Sequence, residues 1–257
     1  MQLAGINRNV SYLTVCNALC NTSTALEIAI NALVGAMLAE DKSLATLPHA
    51  FRWLTTMVVA FPAAWTMRVL GRRNAFMVGA LFGIIGAGIG VWAIFLQSFW
   101  LFVVGTVVMG VFNSFANFYR FAAAEAAEAA FRPKAISLVI GGGIVAAFIG
   151  PEIAKHTVEL FAPYTFAGTY IALAVIPVLL LIALLPIDLP APRAEERAKR
   201  GRPTAEIMRQ KRFIVAALGG MIGWGGMVLL MTATPLSMVA CGHSFSDSAF
   251  VIQWHIV

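Results

Sequence analysis

The sequence predicts an all-α membrane protein that crosses the bilayer several times, with a six-helix N-terminal bundle followed by the start of a second, C-terminal bundle. Hydrophobic residues make up 60% of the 257 residues and charged residues only 12%, whereas a soluble domain carries about 25% charged residues. Six apolar stretches have the length of about 20 residues that a helix needs to cross the hydrocarbon core. These stretches are residues 11–38, 46–67, 74–96, 99–121, 135–154 and 166–187.

A change in composition divides the chain into three parts. Residues 1–187 contain the six predicted spans. Residues 188–212 contain eight basic residues, four acidic residues and three prolines, and we interpret them as a connector in water. Within 213–257, a seventh apolar stretch covers 213–240, and an eighth begins near Ser248 and is too short to cross. We therefore expect a chain that stops inside its eighth span and lacks most of the C-terminal bundle.

The net charge of +6 reflects topology and not a nucleic-acid partner. Fifteen of the 18 lysines and arginines fall in loops on one side of the predicted spans, against only Lys42 and Lys155 on the other side, while Arg52 lies inside the second span. Cytoplasmic loops of membrane proteins are enriched in Lys and Arg. We therefore expect a multi-pass protein of the cytoplasmic (inner) membrane with a cytoplasmic N-terminus and the lipid bilayer around it.

A glycine turn followed by two basic residues, Gly71, Arg72 and Arg73, joins the second and third spans. This run resembles the end of the loop signature of the major facilitator superfamily, roughly Gly-x-x-x-Asp-Arg-x-Gly-Arg-Arg. Arg68 replaces the Asp of that signature and Ala64 replaces its first Gly. Six spans, a long charged cytoplasmic loop and then further spans are also typical of this family, whose fold has two six-helix bundles.

Other runs are similar to the same superfamily. Residues 117–125 and 231–235 resemble a bacterial permease branch, whereas Thr106 stands where the family's usual arginine would be. Gly150 and Pro151 resemble a motif of proton-driven exporters, but the two glycines that should follow are absent, and we do not infer antiport.

The resemblance implies a secondary active transporter that moves a small molecule by alternating access, coupled to a proton or another cation. Uptake of vitamins or flavins is suggested for some members of the branch. The resemblance implies no cofactor and no enzymatic activity. In such a fold the substrate lies between the two bundles near the middle of the bilayer, so we expect the C-terminal bundle to be needed for transport.

Polar side chains of the first span lie on one face of the predicted helix. At 100° per residue, four of them fall within an arc of about 80°: Asn17, Asn21, Thr24 and Asn31. An amide facing lipid would leave donors and acceptors unpaired, at a cost of a few kcal/mol each. The stripe therefore faces a substrate cavity or polar groups of neighbouring helices, and we favour the cavity.

Glu27 is the only acidic residue well within the first three spans. It lies about eleven residues from the outer end of its helix, or roughly 16 Å at 1.5 Å per residue, and an acid so deep in a membrane indicates a functional site. Glu27 is a candidate for binding a coupling proton, a cation or a cationic substrate. The alternative is a structural ion pair with Arg52. His49 is a further titratable group, although its place near a helix end is more typical of the membrane interface.

The fourth and seventh spans supply the remaining candidates. Asn113 and Asn117 are predicted to line the cavity, and Arg120, near the cytoplasmic end, either attracts an anionic substrate or anchors to phospholipid headgroups. The seventh span contains three side chains that could contact an aromatic substrate, although packing is the favoured interpretation: Trp224, Met227 and Met231.

Two alternatives to a transporter remain. A membrane enzyme is disfavoured because the sequence lacks the His-Glu-x-x-His of zinc proteases and a pair of aspartates in adjacent spans, and no Cys/His spacing is typical of a metal site. The pair His243 and Ser244 has no evident acid–base partners. The other alternative is a fragment that is inactive in transport because its C-terminal bundle is incomplete.

Overall fold

The computed structural model describes residues 8–189 and 203–257, and these residues form helices and no strand. Seven of the described helices are long and apolar enough to cross a membrane, which confirms the predicted all-α, multi-pass membrane protein. The helices are α1 (Arg8–Leu38), α2 (Leu47–Leu70), α3 (Arg72–Phe95), α4 (Phe99–Ala116), α5 (Tyr119–Ala126), α6 (Arg132–Thr157), α7 (Ala167–Leu184), α8 (Thr204–Met208), α9 (Lys211–Ala240) and α10 (Phe245–Ile256), with a 3-10 turn at Lys42–Leu44. Most of the predicted connector lies outside the described residues.

The fourth predicted span differs from the structure at its end. The sequence predicts one helix over 99–121, but α4 ends at Ala116 and α5 begins at Tyr119. Asn117 closes α4, since its backbone N–H bonds to the carbonyls of Asn113 and Phe115. A two-residue turn follows, and α5 brings the buried ring of Tyr119 to 4.5 Å from the ring of Phe76. Together α4 and α5 still form one candidate membrane span, Phe99–Ala126.

Small residues allow the helices to approach closely. A Cβ on Gly150 of α6 would lie 2.8 Å from the Cβ of Ala25 in α1. A Cβ on Gly105 of α4 would lie 2.9 Å from the backbone nitrogen of Gly90 in α3. Neither position has room for a side chain, so these contacts set the distances between helices.

Helices α9 and α10 pack against one side of the six-span bundle. The ring of Trp254 in α10 lies 6.1 Å from that of Phe148 in α6, and the ring of Phe245 lies 5.5 Å from that of Phe166. Much of α9 is exposed, including Trp224. A cleft remains between these two helices and the six-span bundle.

Candidate functional site

The cleft encloses a cavity of about 490 Å³ between α1, α2, α6, α9 and α10. Pockets for small molecules have volumes of about 300–1,000 Å³ and apolar walls with a few polar groups. Here the polar groups come from Asn21 and Thr24 of α1, from His49 of α2 and from His255 of α10. The apolar walls include aromatic and thioether side chains of α2 and α9, namely Trp53, Trp224, Met227 and Met231.

An aromatic cluster forms one end of the cavity. The Trp53 ring meets the Trp224 ring edge to face, with centroids 5.6 Å apart and planes at 78°. Trp53 Nε1 donates a hydrogen bond of 2.9 Å to His49 Nε2, one helical turn earlier. The Arg52 guanidinium carbon lies 4.9 Å from the Trp53 ring centroid. The cluster therefore joins α2 to α9 and connects the cavity with the charged groups behind it.

A buried ion pair lies behind this wall. Arg52 Nη2 is 2.9 Å from Glu27 Oε2, and both side chains are 1% exposed. The ion pair with Arg52, which is the alternative role predicted for Glu27, is thus present in the structure. The same Nη2 atom donates to Thr24 Oγ1 at 3.1 Å. Because Thr24 also lines the cavity, one hydroxyl connects the ion pair to the cavity wall.

Hydrogen bonds extend this cluster to α4. The Thr24 hydroxyl donates to Asn113 Oδ1 at 3.2 Å, and Asn113 Nδ2 donates to Thr56 Oγ1 at 3.4 Å. Thr56 in turn donates to the backbone carbonyl of Gly110 at 3.1 Å. Side chains of α1, α2 and α4 therefore form one continuous polar network inside the bundle.

The ion pair leaves part of its hydrogen-bonding capacity unused. Glu27 Oε1 and two nitrogens of Arg52, Nε and Nη1, are buried and have no hydrogen-bond partner among the described residues. A buried ion pair is well compensated only when the remaining lone pairs and protons are also satisfied. The arrangement therefore has capacity for a further proton, ion or ligand group.

Two asparagines of the first span bond to neighbouring helices and are not among the residues that line the cavity. Asn17 Nδ2 donates to the carbonyl of Val139 in α6 at 2.7 Å. The fully buried Asn31 accepts a hydrogen bond of 2.6 Å from the Tyr170 hydroxyl of α7. Of the predicted stripe, the cavity lining therefore includes Asn21 and Thr24. The others satisfy polar groups between helices, which is the second interpretation of the stripe.

The fourth-span candidates separate in the structure. Asn113 is buried in the network, whereas Asn117 is exposed at the end of α4 and is not among the residues that line the cavity. A role for Asn117 in a substrate cavity stays a prediction. Arg120 is also exposed, and its guanidinium lies 5.0 Å from the centroid of the Phe121 ring.

The residues of the loop signature hold helix ends together. Gly71 has φ 81°, a left-handed conformation that glycine adopts without strain, and it separates α2 from α3. Arg72 donates from Nε to Glu125 Oε2 at 2.6 Å and from Nη2 to the other carboxylate oxygen. Arg73 donates to the carbonyl of Leu185 at 2.7 Å, which satisfies an acceptor just beyond the end of α7.

The pair His243 and Ser244 has a structural role. The Ser244 side chain caps α10, accepting from the backbone of Asp247, while the Asp247 carboxylate accepts from the backbone and the hydroxyl of Ser244. These bonds from Ser244 lower the pKa of Asp247 below its ordinary value of 3.8. Ser244 and Asp247 thus form the capping box at the start of α10.

Sequence reasoning missed the importance of α2 for the cavity. His49 is only 4% exposed and lines the cavity, and Trp53 was not among the candidates. The signal was available, because His49 and Trp53 are four residues apart and flank Arg52 on one face of a helix. Trp224, Met227 and Met231 were considered as contacts for an aromatic substrate, and all three line the cavity.

The sequence of the chain is similar to those of known proteins. The sequence model of the Major Facilitator Superfamily matches residues 13–253. The chain is 39% identical over 252 residues to the riboflavin transporter RfnT of Brucella anthropi, which covers 97% of this chain and 63% of that protein. It is 26% identical over 244 residues to the uncharacterized MFS-type transporter YddS of Bacillus subtilis, covering 87% of this chain and 56% of the relative. The chain thus spans about 56–63% of the length of these relatives.

Proposed function

The chain belongs to the Major Facilitator Superfamily, and from this premise we propose that it forms the substrate-binding part of a transporter for riboflavin or a similar planar heteroaromatic molecule. The observation that carries this proposal is the cavity lined by the adjoining rings of Trp53 and Trp224, whose remaining wall combines apolar side chains with a few polar groups. The 39% identity to a riboflavin transporter supports the same class of substrate.

The chemistry of the cavity suits a planar ring system with polar edges. Tryptophan rings that meet edge to face offer both a face for stacking and an edge for contact with a neighbouring ring. Met227 and Met231 add polarizable thioethers that adapt to an aromatic surface. Asn21 and Thr24 offer hydrogen-bond donors and acceptors along α1, where a sugar-like chain with hydroxyl groups would find partners.

Transport by alternating access requires a second bundle across the cavity from the first. In this proposal α1–α7 form one of the two rocking units and α9 and α10 belong to the other. The inner membrane with a cytoplasmic N-terminus is the proposed location, because the basic residues concentrate on one side of the spans. We expect the chain to bind its substrate, and net flux to appear when a complete second bundle is present.

Coupling to a proton or another cation is assigned to Glu27. This carboxylate is buried, and one of its oxygens has no hydrogen-bond partner among the described residues. Glu27 is connected to the cavity wall through Arg52 and Thr24. Protonation of the carboxylate and binding of a ligand in the cavity therefore both act on the Thr24 hydroxyl.

Binding of riboflavin to the purified chain in lipid nanodiscs tests the proposal. Riboflavin fluorescence should be quenched as the flavin stacks on tryptophan, and Trp53→Ala should weaken binding about tenfold or more, since stacking and buried area are lost. Trp92→Ala is the matched control, because Trp92 is 66% exposed on α3 and is not part of the cavity wall. Absence of saturable binding to the wild-type chain, or equal losses in both variants, would contradict the proposal.

A further inference from the structure

We propose that His49 determines specificity at this site: as a neutral imidazole it donates its Nδ1–H to a hydrogen-bond acceptor on the ring of the bound ligand. This assignment rests on the proposed function and extends it, because it names the kind of atom that the polar end of the cavity recognises.

The tautomer follows from the hydrogen bond between His49 and Trp53. An indole N–H is a donor only, so in the 2.9 Å contact Trp53 Nε1 donates and His49 Nε2 accepts. A nitrogen that accepts carries no proton. The imidazole is therefore not an imidazolium, in which both nitrogens donate, and as a neutral ring it has its proton on Nδ1.

Among the described residues nothing accepts this proton, and Nδ1 has almost no accessible surface, so a ligand reaches it when the surrounding side chains shift. His49 lines the cavity, and its Nδ1 is buried without a hydrogen-bond partner among the residues that the structure describes. A buried donor without a partner is unfavourable. A ligand that supplies an acceptor here recovers the missing bond, whereas a ligand with a carbon or an N–H at the same place does not.

The neighbouring charge favours the same chemistry. Arg52, three residues from His49, holds its guanidinium 4.9 Å from the Trp53 ring, and its positive charge disfavours a second cation on His49. Glu27 binds the same guanidinium, with Oε2 2.9 Å from Arg52 Nη2. The cavity wall thus includes a hydrogen-bond donor on His49, with the buried Arg52 cation behind the wall, which suits the carbonyl oxygens and unprotonated ring nitrogens of a heteroaromatic ring.

Sites built to hydrogen-bond a substrate group reject analogues that lack that group. The test compares riboflavin with four analogues that weaken one acceptor each: 1-deazariboflavin, 5-deazariboflavin, 2-thioriboflavin and 4-thioriboflavin. The wild-type chain in nanodiscs should bind at least one analogue about tenfold more weakly than riboflavin. In His49→Phe that particular discrimination should disappear, because the ring shape remains but the donor is gone.

Two further variants separate recognition from packing. The side-chain amide of His49→Asn places an N–H near the position of Nδ1 and should retain part of the discrimination. His156→Gln is the control, since the His156 side chain is 82% exposed and pairs with Glu152, and it should behave as wild type. If His49→Phe weakens binding of riboflavin and of every analogue equally, His49 only packs against the cavity and the assignment is wrong.

The tautomer is measured independently of any ligand by 15N NMR of histidine-labelled protein, with His49→Phe identifying the signal. We expect one protonated nitrogen, Nδ1, that shifts when riboflavin is added. A proton on Nε2, or on both nitrogens, overturns the assignment and leaves the proposed function intact. If the wild-type chain does not bind riboflavin, the proposed function fails, and this assignment fails with it.

Discussion

Glu27 and Arg52 form a buried ion pair whose charges compensate each other but whose hydrogen-bonding groups are not all paired. Each charge is costly in a low-dielectric interior, and each is compensated chiefly by the other at 2.9 Å. The pair is also incompletely hydrogen-bonded among the described residues. An ion pair that joins two helices and still has unpaired hydrogen-bonding atoms is suited to change its protonation or its hydrogen bonds during a transport cycle.

Replacing one member of this pair should destabilise the protein. We expect Glu27→Gln to lower the free energy of unfolding by about 3–5 kcal/mol, because Arg52 remains buried without its counter-charge. The double variant Glu27→Gln/Arg52→Met should recover most of that stability, as measured by thermal unfolding in detergent. Glu152→Gln is the control, since Glu152 is half exposed, with a side chain 47% accessible, and pairs with Lys155 near the end of α6.

The same variants test coupling. With a complete second bundle attached, riboflavin uptake into proteoliposomes should respond to an imposed proton or cation gradient in wild type and in Glu152→Gln. The stable double variant should lose that response, because the carboxylate is absent. If it keeps gradient-driven uptake, the Glu27–Arg52 pair is structural and the coupling site lies elsewhere.

At the scale of helices, hydropathy and small residues are the informative features of the sequence. The lengths of the apolar stretches predict the spans, because lipid requires about 20 apolar residues for each helix. The helix break at residues 117–118 escaped prediction, since the apolar pattern runs through it without interruption. Periodicity places Asn17 and Asn31 on the same face as Asn21, but it does not tell which amides meet another helix.

The contact between α1 and α6 should depend on the absence of a side chain at Gly150. Gly150→Val brings a Cβ within 2.8 Å of Ala25 and should destabilise the bundle by about 1–3 kcal/mol, as overpacking does in protein cores. Gly141→Val in the same helix is the matched control, because a Cβ there meets nothing within 4 Å. Thermal unfolding in detergent measures both. Equal shifts in the two variants would show that helix propensity, and not the contact, sets the cost.

For the whole molecule, the sequence predicts the class of protein and the residues that need polar surroundings, but not the cavity itself. The cavity forms where α9 and α10 meet α1, α2 and α6, and contacts such as the edge-to-face pair of Trp53 and Trp224 arise only in three dimensions. Residues 13–253 match one family, so its general architecture is predictable from the loop motif and the spans. The identity of the side chains around a ligand depends on how the two helical units meet.

Photolabelling with 8-azidoriboflavin reports where the ligand lies, and so tests whether a flavin binds in the cavity between the two helical units. The chain is irradiated in lipid nanodiscs with and without excess riboflavin, and labelled peptides are identified by mass spectrometry. We expect labels on the cavity segments of α2 and α9, around Trp53 and Trp224, and we expect excess riboflavin to suppress them. Labels that riboflavin does not suppress, or that concentrate on exposed residues of α3 and α4 such as Trp92 and Trp100, would contradict it.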